Sequence, residues 1–401
     1  MKIKVGLFFG GNSVEHEVSI ISALQAKASF DTEKYDIVPI YITKSNEMYV
    51  GEKIGKIEEY KDIKNLIKSS YRVILLKNNN RVEIIKFPFK MFTSNVYDYI
   101  DVAFPVVHGT NVEDGTLQGY LKMLDIPYVG CDVLSSAVGM DKYVMKTLLK
   151  DNKIPVLDCL VFTLKDYENT SGIKAKVKEK FEFPVIVKPI DLGSSVGIKI
   201  ARNEGELIDA IDYAFTFATK ILIERAITNL REINCAVLGD YEEAIASECE
   251  EPVGSDEILS YEDKYVSSDK VKGGAKSAGS KGMATLKRKL PADISKNLKD
   301  TIQKLAIKTF QVLGCNGVAR IDFMLDGEEV YVNEINTIPG SLAFYLWEAK
   351  GMKYQEQLDK MISLALKRYR EQKSVTYSFD TNILQSANIS GIKGSKGTKK
   401  I

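Results

Sequence analysis

Two apolar stretches near the C-terminal end of the 401-residue chain are each interrupted by a pair of polar side chains. Arg320 and Asp322 sit in "ARIDFMLD", and Glu334 and Asn336 in "EEVYVNEIN". In an extended strand, residues i and i+2 share a face, so each pair points one way. Asp326 and Gly327 between the stretches predict a tight turn that folds one strand back on the other. Two carboxylates and an amide oxygen would then form a hard, oxygen-rich site suited to Mg²⁺. The plainer alternative is an ion pair from Arg320 to Asp322 or Glu334 at a sheet surface.

A second constellation lies upstream. Lys188 closes an apolar strand and "DLGSSVG" follows. Gly193 and Gly197 permit tight turns, and the N–H and O–H groups of Ser194 and Ser195 can donate to phosphate oxygens. The spacing matches neither a Walker A loop nor GxGxxG, and a plain β-turn is the alternative. A metal site, a phosphate loop and several lysines together point to a nucleoside triphosphate held between loop and Mg²⁺.

These groups need a scaffold. "KVGLFFGG" predicts a buried strand and turn, followed by a helix from about Val18 to Phe30. "IVPIYIT" and "VAFPVVHG" predict further strands, with a β pair in "RVILLK" and "RVEIIKF" and a helix beginning near Gly115. Apolar strands alternating with helices imply an open α/β sheet. "FPVIVKPIDLGSSVGIKI" reads as strand, loop, strand, with a connection too short for a crossover, so the pair is antiparallel. A helix is expected over 204–217, then strands in "KILIERAI", "REINCAVLG" and "EEAIASECE". An amphipathic helix follows in "PADISKNLKDTIQKLAIKTFQVLG", with Pro291 near its start and Gly314 as its stop. A last helix is expected from about Lys353 to Glu371. The segment from Lys264 to Lys289 carries eight basic residues, one acid and four glycines. It is either a functional loop or simple disorder.

Composition removes several functions. The 55 basic and 54 acidic residues nearly cancel, so no global field favours nucleic acid or a membrane. Five scattered cysteines without a CxxC pair argue against structural zinc and a disulfide framework. The N-terminal apolar run is too short for a signal segment and no 18-residue apolar stretch occurs, so a cytoplasmic protein is expected.

Six motifs, in order, resemble the D-alanine–D-alanine ligase family of the ATP-grasp superfamily. They are "GGNSVEHEVSIISA", "VVHGTNVEDGTLQG", "IPYVGCDVLSSAVGMDK", "KPIDLGSSVG", "SYEDKY" and "ARIDFMLDGEEVYVNEINTIPG", and the likeness spans roughly residues 4 to 372. It implies an α/β fold of three domains, with an N-terminal open parallel sheet and ATP between two antiparallel-sheet domains. The expected divisions are 1–130, 131–226 and 227–372, with a lid at 264–289 and a disordered tail at 373–401. The implied reaction phosphorylates one D-alanine with ATP and couples the acyl phosphate to a second, for peptidoglycan precursor synthesis.

By the same resemblance, Lys142, Lys188 and Lys264 balance phosphate charge beside Ser195. Glu224, the Arg225–Ile227 backbone and Glu232 cradle adenine and ribose, and Asp322, Glu334 and Asn336 hold two Mg²⁺ (or Mn²⁺) ions. Arg320 and the Gly340 N–H stabilise the acyl oxygen. Glu15 takes the first ammonium group, near His108, and forms a triad with Ser194 and Tyr265. The expected partners are ATP and D-alanine, with neither nucleic acid nor membrane, and a homodimer is the expected assembly. Departures exist. The family's serine five residues after Gly340 is Tyr345 here, so Ser341 or Tyr345 would bind the second substrate. Val112 replaces a usual glycine, and Glu232 sits one residue further from Glu224 than in the family. A ligase using another second substrate, such as D-serine, is the alternative; a non-catalytic nucleotide-binding protein is a more distant one.

Overall fold

The computed structural model describes residues 2–79, 81–193, 195–253 and 288–378. The first of its three sheets contains β1 (Ile3–Gly10), β2 (Tyr35–Ile42), β3 (Met48–Val50), β4 (Tyr71–Asn78), β5 (Arg81–Lys86), β6 (Val96–Ile100) and β7 (Val102–Pro105), in the order β6-β5-β4-β3-β2-β1-β7. Only β2, β1 and β7 are parallel; β2 through β6 pair antiparallel. The expected open parallel sheet is therefore mixed. The links at 43–47, 79–80 and 87–95 are shorter than the dozen residues that a parallel crossover needs. β1 is buried on both faces, from Val5 to Phe9, as a central parallel strand should be. Helix α1 (His16–Ser29) covers it, starting two residues before the expected position.

The second sheet is antiparallel: β8 (Cys159–Thr163), β9 (Val185–Pro189), β10 (Lys199–Ala201) and β11 (Lys220–Arg225), in the order β10-β9-β11-β8. The β9–β10 pair agrees with the short-connection reading. The third sheet, also antiparallel, runs β14-β13-β12-β15-β16. It contains β12 (Arg231–Gly239), β13 (Ala244–Pro252), β14 (Arg288–Lys289), β15 (Gly317–Asp326) and β16 (Glu329–Asn336). The turn between β15 and β16 is one residue later than expected: Asp326 pairs with Glu329, leaving Gly327 and Glu328 to make it.

Helix α2 (Lys142–Asp151) lies between the second and third sheets. Asp141 caps it by accepting from the Tyr143 and Val144 N–H groups, which would otherwise lack partners. Helix α3 (Lys296–Val312) buries Ile302, Ala306 and Phe310 against the third sheet. Its cap is Ser295, so Pro291 precedes the helix and does not begin it. Helix α4 (Tyr354–Lys373) buries Leu358, Met361 and Ile362 in the same core as β1, β2 and α1. The last helix of the third-sheet region thus completes the core of the first.

Candidate active site

A row of polar side chains crosses the third sheet. Glu250 pairs with Asn234, Asn234 with Asp322, and Asp322 with Glu334, on β13, β12, β15 and β16. Residues directly opposite in a sheet share a face, so the row forms one polar floor under a cleft of about 710 Å³. Ala319, Ile321 and Phe323 on the reverse face are buried in the core. The register shifts beside Asp322, and the extra residue is Asn333. Its side-chain oxygen accepts from Lys188 Nζ at 3.2 Å, linking the third sheet to the second. Strict alternation predicts no such contact, because a bulge turns one additional side chain toward the site.

The ion pair offered as the plainer reading of the hairpin is present. Arg320 lays Nε and Nη2 along the two Asp322 oxygens, each at 2.7 Å. Asn336 donates to the same carboxylate at 3.0 Å, and Lys142 Nζ lies 3.5 Å from Glu334. Two carboxylates and an amide are thus gathered as expected, with cations balancing them. No cluster of three or more His, Cys, Asp or Glu side chains able to hold a metal occurs among the described residues.

Across the cleft, Lys188 on β9 meets Glu224 on β11 at 2.5 Å. Lys146, one turn after Lys142 on α2, meets the other Glu224 oxygen at 2.7 Å. Glu224 is fully buried. Burial alone would raise its carboxyl pKa, but the two lysines outweigh that and hold it down at about 2. Glu224, expected beside adenine and ribose, has both carboxylate oxygens bound to lysines. The residue lines the cleft while holding Lys188 and Lys146 in place. Lys146 was not anticipated, although its i, i+4 spacing from Lys142 was a signal. Lys142 Nζ donates to the Leu192 carbonyl at 2.7 Å, beside the Gly/Ser loop. Ser195, Arg225, Ile227 and Glu232 line the cleft. Arg225 turns its side chain to Asp326 at 2.7 Å, so only its backbone fits the expected cradle.

At the far end, β1 and β7 present their C-terminal loops. The Glu15 carboxylate lies between the loop after β7 and the Gly/Ser loop: a methyl group on Gly109 or Gly193 would sit 3.3 or 3.8 Å from it. His108 is satisfied at both ring nitrogens, with Ile338 O at 2.7 Å and Ser22 Oγ at 3.1 Å. Burial lowers its pKa, so the ring is neutral. It holds a loop in place while facing the cleft. Glu113, absent from the expected set, clamps two loops by accepting from the Gly109 and Ile338 N–H groups at 2.7 and 3.2 Å. Burial, and then the neighbouring Glu15, raise its pKa to about 8. The loop containing Val112 takes its positive φ at Asn111 instead, a residue type that tolerates it.

Gly340 lines the cleft, and Ser341, Leu342 and Ala343 follow in a left-handed turn at φ 51–52°. Ser341 is corrected as a substrate contact. It is buried, donating its hydroxyl to Gln25 and its N–H to Ser22, both at 2.8 Å. Tyr345 does face the cleft, but its hydroxyl donates to Glu250 at 3.0 Å. Ser194, Lys264 and Tyr265, with most of the 264–289 segment and the tail from 379, lie outside the described residues.

Two antiparallel sheets facing each other across a cleft, with lysines on one side and carboxylates on the other, define an ATP-grasp ligase fold. The family models for the N-terminus and C-terminus of D-ala D-ala ligase match residues 4–131 and 148–363, and the chain belongs to that family. It is 39% identical to the D-alanine–D-alanine ligase of Thermosipho melanesiensis, over 96% of this chain and 98% of that one. The VanG D-Ala:D-Ser ligase of Enterococcus faecalis superposes with a TM-score of 0.74 at 32% identity, covering 91% of this chain and all of that one. The D-alanine–D-alanine ligase of Bacillus anthracis complexed with ATP superposes at 0.63 and 26% identity, covering 92% and 99%.

Proposed function

We propose that this protein is an ATP-dependent ligase that joins two D-alanines through an acyl phosphate, for peptidoglycan precursor synthesis. The observation carrying the reading is the pairing across the cleft, where Lys142 lies 3.5 Å from Glu334 and Lys188 donates to Asn333, beside Asp322 and Asn336. A carboxylate is a poor electrophile, so its oxygen first attacks the γ-phosphorus of ATP and ADP departs. The amine of the second D-alanine then attacks the acyl carbon and phosphate leaves. Lys142 and Lys188 would balance the phosphate charge, and Glu224 would keep Lys188 in place. Arg320 and the Gly340 N–H would meet the developing acyl oxygen. Glu15 would take the first ammonium group beside the neutral His108.

The donor set fits Mg²⁺: two carboxylates and an amide oxygen are hard ligands, and phosphate oxygens and water would complete the shells. Bound there, Mg²⁺ supplies charge neutralisation on the transferred phosphoryl group. Three sheets with separate strand sets support the division near residues 130 and 226. A cytoplasmic homodimer is inferred from the family resemblance; light scattering on the purified chain tests the dimer. No helix among the described residues is long and apolar enough to cross a membrane.

The experiment is incubation with ATP, Mg²⁺ and D-alanine, D-serine, D-lactate or L-alanine, alone and in pairs, reading phosphate release and product mass. D-alanyl-D-alanine should dominate. No phosphate release in any mixture containing D-alanine would sink the reading. Tyr345 favours a second reading, a mixed product with D-serine, which the same masses would reveal.

A further inference from the structure

Beyond Arg320, the polar floor ends in a cluster that the reaction as described leaves unused. Glu250 receives three donors: Tyr345 Oη at 3.0 Å, Asn234 Nδ2 at 3.1 Å and Arg288 Nη1 at 2.6 Å. The Arg288 guanidinium lies over the Tyr345 ring, 3.9 Å from its centroid. Backbone pairing fixes the same arrangement. Arg288 on β14 sits opposite Pro252, two residues and one same-face step from Glu250. Arg288 is only 11% exposed and Glu250 4%, yet both line the cleft beside Arg320 and Gly340.

An arginine withdrawn from solvent loses hydration and is not placed there for solubility. Stacking and a charge-assisted bond hold it in one pose, and rigid, planar guanidinium groups are suited to recognising carboxylates. The second amino acid brings a carboxylate into this cleft, together with a neutral nucleophilic amine. Lys142 and Lys188 lie on the proposed phosphate side, and Arg320 is paired with Asp322 or given to the acyl oxygen. Arg288, held by Glu250 and the Tyr345 ring, is a further cation lining the cleft with Arg320 and Gly340.

We propose that Arg288, fixed on the Tyr345 ring and by Glu250, anchors the carboxylate of the second amino acid and so sets what is accepted there. Arg288 touches the substrate; Tyr345 and Glu250 position it. The inference rests on the ligase reading.

The test compares wild type with Arg288→Gln and Arg288→Lys, using D-alanine and D-alaninamide, which lacks the carboxylate, as acceptors. In Arg288→Gln, the KM for the second D-alanine should rise about tenfold or more, the loss of one charged contact. The KM values for ATP and the first D-alanine should change little. Wild type should prefer D-alanine strongly over D-alaninamide, and Arg288→Gln should lose most of that preference. Arg288→Lys, which keeps the charge, should fall between and serves if the glutamine variant does not fold. A glutamine or lysine variant that keeps the full wild-type preference overturns the inference alone. A wild type that binds ATP but forms no dipeptide overturns the ligase reading and the inference with it.

Discussion

At the scale of single residues, charge pairing decides which groups are available. Glu224 is the clearest case, because two buried lysines share it. Its substitution by alanine would leave two buried cations without their partner, which typically costs about 3–5 kcal/mol. Urea unfolding should report a loss of that order, and a change within error would refute the pairing. The pKa of its carboxyl falls from 4.5 to about 2 on folding. Its contribution to stability is therefore complete above about pH 4.5 and is lost as pH falls through about 2. Glu113 runs the other way, rising from 4.5 to about 8. The folded protein keeps that proton while the unfolded chain releases it. The contribution is intact below about pH 4.5 and lost as pH rises through about 8. Glu113→Gln has no proton to lose, so without nucleotide its melting temperature should gain on wild type between those pH values. Parallel curves would count against the burial argument.

At the scale of elements, the link between β16 and α4 stores strain. Ser341, Leu342 and Ala343 are all left-handed, which costs roughly 1–2 kcal/mol per residue for L-amino acids. Three bonds hold the turn: Ser22 accepts from the Ser341 N–H, Ser341 donates to Gln25, and Gln357 donates to the Leu342 carbonyl at 2.7 Å. Ser22→Ala removes a partner of both Ser341 and His108. It should cost about 1–3 kcal/mol and raise the KM for the first amino acid, since Gly340 begins the same turn. Chemical denaturation and initial rates check the two halves separately. The β15–β16 hairpin uses a different device: its bulge adds Asn333 to the face where simple alternation predicts only Glu334 and Asn336.

At the scale of the whole molecule, α4 ties the first sheet to the third. Leu358 is fully buried in the core shared with β1 and β2. Leu358→Ala should therefore destabilise by about 2–5 kcal/mol and loosen both regions in one transition. Hydrogen exchange that opened only the helix would contradict that coupling. A nucleotide bound between the second and third sheets should raise the melting temperature with its concentration, and Mg²⁺ should strengthen the effect. Calorimetry at several ATP concentrations tests this.

The chemistry itself was legible in the sequence. Residue type and period-two alternation are local properties, so "ARIDFMLDGEEVYVNEINTIPG" alone assigned Arg320, Asp322, Glu334 and Asn336 to one polar face. The short link after Lys188 likewise required an antiparallel pair. Tertiary structure decided which groups pair, because partners arrive from distant segments and burial sets the strength of each contact. Glu224 meets a lysine 78 residues away, and no local pattern announces that both its oxygens are taken. Ser341 turns to α1, and Glu250 brings Tyr345 and Arg288 to one end of the cleft. Residue types thus limit what chemistry is available, while packing across the chain determines which side chains remain able to perform it.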